Sequence, residues 1–395
     1  MQPPSTPTLS QHVGRVLDGA QRTAKPVLTG PRWALRAGAF ASAMSFLMQA
    51  PSGLPRSGVM WRAVVTQSHH LFEQSNARAG SHQAKLTFRL VPPLVVRVGH
   101  LDPTTYFLLQ VALGVLALTL LASLFERLGY SRFDSLILVL AIGFTSAATP
   151  WFADLAPYFD AIGLSALVVA LCVRNPVGVF AACSAAAWTD ERALIGVVVV
   201  CAFHLRQRQR ILATAAIASL IAYAAVRTGL AIHYHLAVDR VPAGVFRATL
   251  PTHPVALAAS LEGLWALLIV GIAAGFAARD RTAWIVAPAS AVAVAVAVAV
   301  YDVSRSTAFL LPAIVMAAAY LVREPQNVRR NLVAATLAAC LVFPTTFTWG
   351  SQLPTVNPLP VQVILWLTDN RPSDRPLGSK CMSCDTAQLR SLATR

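Results

Sequence analysis

The feature that most constrains this chain is its succession of long apolar stretches, separated by short segments that hold most of the charge. Of its 395 residues, 56% are hydrophobic and only 12% are charged, whereas an ordinary soluble domain is about 25% charged. A helix needs about 20 apolar residues to cross a bilayer core, and one soluble core could not bury this much apolar surface. The sequence therefore predicts an all-α, polytopic helical membrane protein.

The apolar pattern places about eleven transmembrane spans along the chain. The predicted spans are 33–50, 104–125, 135–150, 158–173, 177–189, 193–205, 211–227, 255–277, 283–300, 307–323 and 332–348. The spans at 177–189 and 193–205 are too short to cross a full bilayer, so we interpret them as a tight hairpin with residues 189–192 at its tip. One continuous helix through 177–205 is the alternative, and it would reverse the orientation of every later span.

The distribution of arginine sets the predicted orientation. Short cytoplasmic loops carry an excess of Lys and Arg, whereas long loops translocate largely regardless of their charge. The short connections on one side hold clusters such as Arg206, Arg208 and Arg210, while the short turns on the other side hold only Arg192 and Arg305. The N-terminus is therefore predicted in the cytoplasm and the C-terminus outside. Most of the acidic residues then fall on the outer side.

The predicted spans divide the chain into three parts. Residues 1–32 are predicted to be a disordered cytoplasmic tail. Residues 33–348 are predicted to form the transmembrane domain, with a long outer loop at 51–101, and residues 349–395 an outer tail. Almost all of the basic residues are arginines, and the chain is also rich in alanine. Both features are typical of a GC-rich bacterial genome. We therefore expect a multi-pass protein of the bacterial cytoplasmic (inner) membrane.

Several functional classes find no support in the sequence. The net charge of +15 would suit nucleic acid, but the basic residues form short clusters between spans and not one binding stripe. No nucleic-acid partner is therefore predicted, and no P-loop, GxSxG or HExxH motif occurs. Cys381 and Cys384 form a single CxxC, which predicts a disulfide or no role at all. No cofactor and no metal site is predicted, and a divalent metal is left open.

Three acidic residues at the outer turns are candidates for a catalytic base. Asp160 lies just inside an apolar stretch, where a charge is costly and usually functional. Asp190 and Glu191 lie midway through an apolar segment and could serve as bases in the same way. Helix capping would also explain Asp160, and a buried ion pair with Arg192 would explain the other two.

Two outer turns each pair an aspartate with an arginine. Arg192 follows Asp190, and Arg305 follows Asp302 at a spacing that places both side chains on one helix face. The guanidinium groups at these turns are candidates for binding a substrate phosphate, with Asp302 and Asp154 as supporting residues. A local salt bridge or a helix cap is the alternative.

The outer loop and one span add further candidates. Lys85 and Arg89 follow His82 at helical spacing, which predicts an amphipathic segment at 82–97 in the headgroup layer. Lys85 and Arg89 are candidates for phosphate binding, with His82 in support, and general attraction to anionic membrane lipid is the alternative. Glu262 lies within a span, where it could be protonated, paired or part of an ion route.

The layout of the chain resembles that of the GT-C glycosyltransferases. The similar features are the many spans, the long first outer loop with its amphipathic stretch at 82–97, and the polar turns that face outward. Enzymes of this superfamily take sugars from polyprenyl-phosphate donors. The resemblance implies a lipid-linked sugar donor, a carboxylate among Asp160, Asp190 and Glu191 as base, and an apolar groove between helices for the lipid tail.

Two other functional classes remain open. A broken helix at 177–205 would suit a multi-pass transporter of a small solute or lipid-linked substrate, with its site near the membrane centre. A non-catalytic membrane component of a cell-envelope assembly is the other possibility. A central depth of Asp190 and Glu262 would favour transport, and a depth near the outer surface would favour a transferase.

Overall fold

A computed structural model of the chain describes residues 9–49, 58–72, 84–155, 158–235, 253–300 and 302–342, together with 359–360 and 363–364. All regular secondary structure in these residues is helical, which confirms the predicted all-α class. His82, residues 349–358 and the tail that holds Cys381 and Cys384 lie outside the described residues.

The described chain consists of helices joined mostly by short connections. The α-helices in chain order are α1 (Leu9–Leu28), α2 (Trp33–Gln49), α3 (Val59–His69), α4 (Val91–Gly99), α5 (Pro103–Leu128), α6 (Arg132–Phe144), α7 (Thr149–Phe152), α8 (Asp160–Cys172), α9 (Pro176–Thr189), α10 (Ala193–Arg206), α11 (Arg210–His233), α12 (His253–Leu261), α13 (Leu264–Ala277), α14 (Ala283–Ala299), α15 (Val303–Ala308), α16 (Leu311–Leu321) and α17 (Gln326–Val342). The 3₁₀ helices Ala84–Phe88 and Ser146–Ala148 precede α4 and α7.

Two of the described helices, α5 and α11, are each long and apolar enough to cross a membrane. The number rises to four if each of two sharply bent helix pairs is one span. Every predicted span that begins before residue 332 coincides with a described helix or pair of helices. The positions of the apolar helices are therefore confirmed, whereas the total of about eleven spans stays a prediction.

Successive helices run back and forth between two ends of the bundle. At one end, Arg206 pairs with Asp280 at 3.1 Å, which joins the α10–α11 connection to the α13–α14 connection. We call this the arginine-rich end. The opposite end, which we call the acidic end, holds the connections at 145–159, 190–192 and 300–302. The same two sets of connections differ in their arginine content in the sequence. Which set faces the cytoplasm stays a prediction.

The predicted hairpin at 177–205 is confirmed as α9 and α10, joined at the predicted tip. Gly163, near the start of α8, lies against Thr189 at the end of α9. The ring of His204, near the end of α10, contacts the carbonyl oxygen of Ala170 near the end of α8 at 2.9 Å. The two helices therefore run in opposite directions along α8. Each has 14 residues, about 21 Å of helix against about 30 Å for a bilayer core.

The predicted spans at 135–150 and 255–277 are not straight helices, because each contains a sharp bend. α6 turns by 78° into the short helices that follow it, and α12 meets α13 at 81°. In the first span, Pro150 lacks the N–H group that a continuing helix would bond to Ser146. In the second, Glu262 has a φ of 50°, the left-handed conformation in which helices commonly end.

The predicted disordered tail at 1–32 is wrong for residues 9–28, which form α1. Leu17, Ala24 and Leu28 recur at helical spacing and pack against the main hydrophobic core. Most of the stability of a helix in a protein comes from packing of its apolar face and not from composition. The prediction failed because it was based on the low overall hydrophobicity of this segment, whereas its few apolar residues lie on one side of the helix.

The close approach of α13 and α16 depends on a glycine. A Cβ atom at Gly271 would lie 2.5 Å from the carbonyl oxygen of Ala317 and 2.6 Å from its Cβ atom. By contrast, a Cβ atom at Gly229 in α11 would meet no atom of the described residues within 4 Å. The two glycines thus offer a matched pair of tight and open helix positions.

We predict that Gly271→Ala lowers the stability of the folded protein by about 1–3 kcal/mol, because the two helix backbones must move apart. Gly229→Ala should be neutral or stabilising by up to about 1 kcal/mol, because alanine is the better helix former. Thermal unfolding of both variants in the same detergent measures the difference. Equal melting temperatures would contradict the packing of α13 on α16.

Candidate functional site

Seven charged side chains form one continuous row at the acidic end, with carboxylates and guanidinium groups in alternation. In order, the row is Glu191, Arg89, Asp190, Arg192, Asp160, Arg305 and Asp302. Each neighbouring pair has an N–O distance of 3.3 Å or less. We call this set the charged row. It brings together the two Asp–Arg turns that the sequence analysis singled out and adds Arg89 and Asp160 to them.

Asp190 lies near the centre of the charged row and is completely buried. Its Oδ1 atom accepts hydrogen bonds from the backbone N–H and the Nε atom of Arg192, at 2.9 and 2.8 Å. Its Oδ2 atom lies 2.7 Å from Nη2 of both Arg192 and Arg89. Burial alone would raise the pKa of Asp190, but the charges of Arg192 and Arg89 outweigh it and hold that pKa well below its ordinary value.

Asp160, the first residue of α8, links the two Asp–Arg turns. Its Oδ1 atom lies 3.3 Å from Nη2 of Arg192, and its Oδ2 atom accepts a 2.7 Å hydrogen bond from Nε of Arg305. Arg192 also donates a hydrogen bond from Nη1 to the Ser306 hydroxyl at 2.8 Å. Asp160 is 1% exposed, so both of its oxygens are committed to arginines in a site largely closed to water.

Arg305 and Asp302 form the other end of the charged row. The Arg305 Nη1 atom lies 3.2 Å from Asp302, whose carboxylate also accepts a hydrogen bond from the Arg305 backbone N–H and so caps α15. The guanidinium of Arg305 lies 3.8 Å from the centre of the Tyr158 ring, a cation–π contact. Burial raises the pKa of Asp302 despite its neighbouring arginines.

Asp154 lies beside this end of the row without an ion pair to it among the described residues. Its Oδ2 atom accepts a 2.8 Å hydrogen bond from the backbone N–H of Tyr158. Burial raises the pKa of Asp154 to about 7, against the opposing effects of that N–H group and of Arg305. Asp154 is therefore a carboxyl group that gains and loses its proton near neutral pH.

Arg89 reaches the charged row from the long connection between α2 and α5. The predicted helical face shared by His82, Lys85 and Arg89 is wrong for Arg89, because a 3₁₀ helix ends at Phe88, α4 begins at Val91, and Arg89 lies between them. The two prolines that open α4 favour a new helix start there. The Arg89 side chain is turned inward and is 6% exposed. Lys85 belongs to the 3₁₀ helix by its backbone, and its side chain lies outside the description.

Aromatic side chains cover the same end of the bundle. Trp61 of α3 lies 6.0 Å, between ring centroids, from both Tyr106 of α5 and Phe159, and the last two lie 4.5 Å from each other. Gln67 of α3 donates a 2.8 Å hydrogen bond to the carbonyl oxygen of Leu86 and so joins α3 to the 3₁₀ helix before α4. The described parts of the predicted outer loop thus lie across the acidic end, where they help to exclude water.

Arg227 is a nearby basic residue that the sequence analysis missed. Its guanidinium lies 4.3 Å from the centre of the Phe88 ring and donates a hydrogen bond to the Tyr223 hydroxyl. Phe88 directly precedes Arg89, so this fourth arginine lies close to the charged row. A cation in the last turns of an otherwise apolar helix was the signal that could have identified it.

Glu262 lies apart from the charged row. It occupies the bend between α12 and α13 and is 8% exposed, and neither carboxylate oxygen has a hydrogen-bond partner among the described residues. The candidate residues of the sequence analysis therefore fall into two separate places.

The charged row retains some capacity for an anionic ligand. Arg89 and Arg305 each use one terminal nitrogen and Nε in the row, and neither Nη1 of Arg89 nor Nη2 of Arg305 has a hydrogen bond to the described residues. Arg192 uses all three of its guanidinium nitrogens. The row can therefore offer donors at two positions while its carboxylates hold the guanidinium groups in place.

Comparisons of the chain with protein-family models, with curated proteins and with solved structures find no match. Within the described residues, no group of three or more His, Cys, Asp or Glu side chains is arranged to hold a metal ion. What the site can do therefore rests on its own geometry.

We predict that Asp190→Asn destabilises the protein by about 3–5 kcal/mol, because it leaves two buried guanidinium groups without their shared counter-ion. The matched control is Asp18→Asn, which removes an exposed pair with Arg330 and should cost no more than about 1 kcal/mol. Unfolding in one detergent, followed for both variants, measures the two effects. A loss at Asp190 no larger than that at Asp18 would contradict the burial of the charged row.

Proposed function

We propose that this protein is a membrane glycosyltransferase that takes a sugar from a polyprenyl-phosphate-linked donor at the acidic end of its helical bundle. The observation that carries the proposal is the charged row. In a site largely closed to water and next to Asp154, it holds two arginines that each have a terminal nitrogen without a hydrogen bond to the described residues. A donor of this kind presents a phosphate to be bound, a sugar to be transferred and a long apolar tail. At the acidic end, arginines are proposed to bind the phosphate, Asp154 to assist the transfer of the sugar, and apolar side chains to contact the tail.

In this proposal the carboxyl groups at the acidic end divide into two roles. Asp160 and Asp190 each contact two arginines, and a carboxylate so engaged is a poor proton acceptor. They therefore position Arg192, Arg305 and Arg89 and do not act as bases. Asp154 is the general base, because its carboxyl group titrates near neutral pH and a base works best with a pKa near the operating pH.

The arginines supply binding for the leaving phosphate. Nη1 of Arg89 and Nη2 of Arg305 would donate charge-assisted hydrogen bonds to the phosphate oxygens, with Lys85 as a further cation in the adjoining 3₁₀ helix. Their positive charge would stabilise the phosphate as negative charge develops on it. Glu191 and Asp302, at the two ends of the row, keep these guanidinium groups oriented.

The reaction is a displacement at the anomeric carbon of the sugar. An acceptor hydroxyl oxygen forms the new bond to that carbon, and the bond from the carbon to the phosphate oxygen breaks. The hydroxyl proton passes to the Asp154 carboxylate, and the polyprenyl phosphate leaves with the electron pair. The apolar side chains of Val226 and Ile232, exposed near the acidic end of α11, provide a surface along which the lipid tail can lie.

The proposed setting is the bacterial cytoplasmic (inner) membrane, with about eleven spans and the acidic end outside. Support comes from the clusters of arginine in the short connections of the arginine-rich end, since such connections are retained in the cytoplasm. Membrane lipid and the lipid-linked donor are the proposed partners.

We predict opposite accessibility for Gln207→Cys at the arginine-rich end and Thr104→Cys at the acidic end, each in a chain whose six cysteines are replaced. In intact cells a membrane-impermeant maleimide should label only the cysteine at position 104, because the acidic end faces outward. Labelling of both after lysis is the control. The reverse pattern in intact cells would overturn the proposed orientation.

Transport is a second candidate function, and Glu262 favours it. An acidic residue at the break of a bent helix pair is typical of transporter sites near the membrane centre. The charged row is much the larger polar feature of the described residues, and for that reason transfer is the first candidate.

We predict that wild-type protein in proteoliposomes transfers label from one member of a panel of radiolabelled polyprenyl-phosphate sugars. Asp154→Asn should lower kcat by about 10²–10⁴-fold, the usual contribution of a general base. The rate of the wild type should rise as pH increases through about 7, because the pKa of Asp154 is about 7 and only the carboxylate accepts a proton.

The matched control is Asp102→Asn, an exposed helix cap at the same end, where asparagine caps equally well and turnover should be unchanged. Undiminished turnover of Asp154→Asn would rule out Asp154 as the base. Solute flux through the same vesicles without any sugar transfer would favour the transporter.

A further inference from the structure

The carboxyl group of Glu262 is the one acidic group of the described residues that is buried with neither oxygen hydrogen-bonded. It stands at the 81° bend between α12 and α13, and its own backbone is in the left-handed conformation. The next residue, Gly263, lies directly against the carbonyl oxygen of Thr336 in α17. The carboxyl group is therefore held in the interior by a bend that is itself packed tightly.

The bend at Glu262 adjoins the second bend of the bundle, which follows α6. The Ser146 hydroxyl donates a hydrogen bond to the carbonyl oxygen of Ser260 and so ties the two bends together. Gln49 donates hydrogen bonds of 2.8 Å to the carbonyl oxygens of Gly143 and Thr145. Side chains thus bond to backbone carbonyl groups where the helices break, whereas none of the described side chains bonds to the Glu262 carboxyl.

An isolated carboxylate in an apolar interior is costly, and such a group is found neutralised or paired. Among the described residues, no cation of the surrounding elements contacts this carboxyl group. Arg329 and Arg330 of α17 are bonded elsewhere, to the carbonyl oxygen of Val322 and to Asp18. From α17 the nearest titratable group is the thiol of Cys340, which lies beside the backbone N–H groups of Gly263 and Leu264. α15 carries Arg305, but that guanidinium is engaged by Asp160 and Asp302.

The other charged or titratable groups near these helices lie elsewhere. His253 is at the far end of α12, more than two helical turns from the bend. Asp280 and Tyr320 lie at the arginine-rich end, where Asp280 pairs with Arg206 and Tyr320 shares a hydrogen bond with Thr282. None of these groups neutralises Glu262.

We infer that Glu262 is a proton-binding site within the bundle, occupied by a proton in the bent arrangement seen here. Loss of the proton would leave a bare carboxylate in apolar surroundings, so ionisation requires the bend to move toward water or toward a cation. α12 packs on α15 through Ala256 and Val303, and α15 carries Arg305 of the charged row and is capped by Asp302. Proton binding at Glu262 is therefore linked to the position of that end of the row. The inference stands whether the row transfers sugars or not.

Carbodiimide labelling tests the inference directly. Dicyclohexylcarbodiimide enters the apolar phase and reacts only with a protonated carboxyl group, which adds across the reagent to give a stable N-acylurea. In the wild type we expect an adduct on the peptide that contains Glu262, and this adduct should be absent from Glu262→Gln. Labelling should fall about tenfold for each pH unit above its midpoint, as expected for a single proton.

Failure to label Glu262 under conditions that modify other carboxyl groups would overturn the inference. Labelling should also be compared at one pH in a sodium salt and in the salt of a large organic cation. Weaker labelling in sodium would overturn the inference and would indicate a metal-cation site. Labelling that depends on pH alone supports the proton site.

Stability measurements provide a second test that needs no reagent. The folded protein holds a proton at Glu262 that an unfolded chain releases at neutral pH, so the wild type should lose stability relative to Glu262→Gln as pH rises. The melting temperatures of the two proteins should converge at acidic pH and separate at alkaline pH. A constant difference between them across that range would contradict proton binding in the folded state.

Discussion

The pairing of buried arginines with buried carboxylates is the interaction on which the acidic end of this bundle depends. The charged row draws on the connection before α4, the tip of the α9–α10 hairpin, the first residue of α8 and the short helix α15. Loss of one partner would leave an uncompensated charge in a largely buried site. These four segments are therefore held together by a requirement for neutralisation, which apolar packing alone does not impose.

The charged row also explains where the helices end. α9 stops at Thr189 because Asp190 leaves the helix in an extended conformation and bonds to Arg192. α8 and α15 begin at, or directly after, an aspartate that belongs to the row. Since these helices are short, their ends lie where the elements α3 and α4 can cover them. The aromatic contacts of Trp61 with Tyr106 and Phe159 complete that cover.

The two bends of the bundle also leave polar groups in the interior, and there neutral hydrogen bonds take the place of ion pairs. The amide of Gln49 bonds to the carbonyl oxygen of Gly143 near the end of α6, and the hydroxyl of Ser146 bonds to that of Ser260 near the end of α12. At the other bend the carboxyl group of Glu262 has no such partner among the described residues. Among the buried acidic groups of the described residues, Glu262 alone has both oxygens without a hydrogen bond, which is the basis for the proposed proton site.

The sequence by itself determined where most of the apolar helices lie and where the α9–α10 hairpin turns. Apolar stretches predicted the positions of α5, α8 and α11, because an apolar segment that forms a helix satisfies its own backbone groups. The charged residues at 189–192 predicted the turn between α9 and α10. The recurrence of Asp with Arg at two turns identified four members of the charged row. These features are local, since each depends on residues close together in the chain.

Only the tertiary structure decided which charges meet. Arg89 and Asp190 are a hundred residues apart, and no pattern in either segment specifies the other as its partner. The same holds for the apolar stripe of α1, which is stable only against the core, and for the bend at Glu262, where Gly263 meets Thr336 of α17. Contacts between distant segments depend on how the helices pack, and helix packing is set by side-chain shape at every interface together. Patterns of neighbouring residues in one sequence therefore do not show which distant segments come into contact.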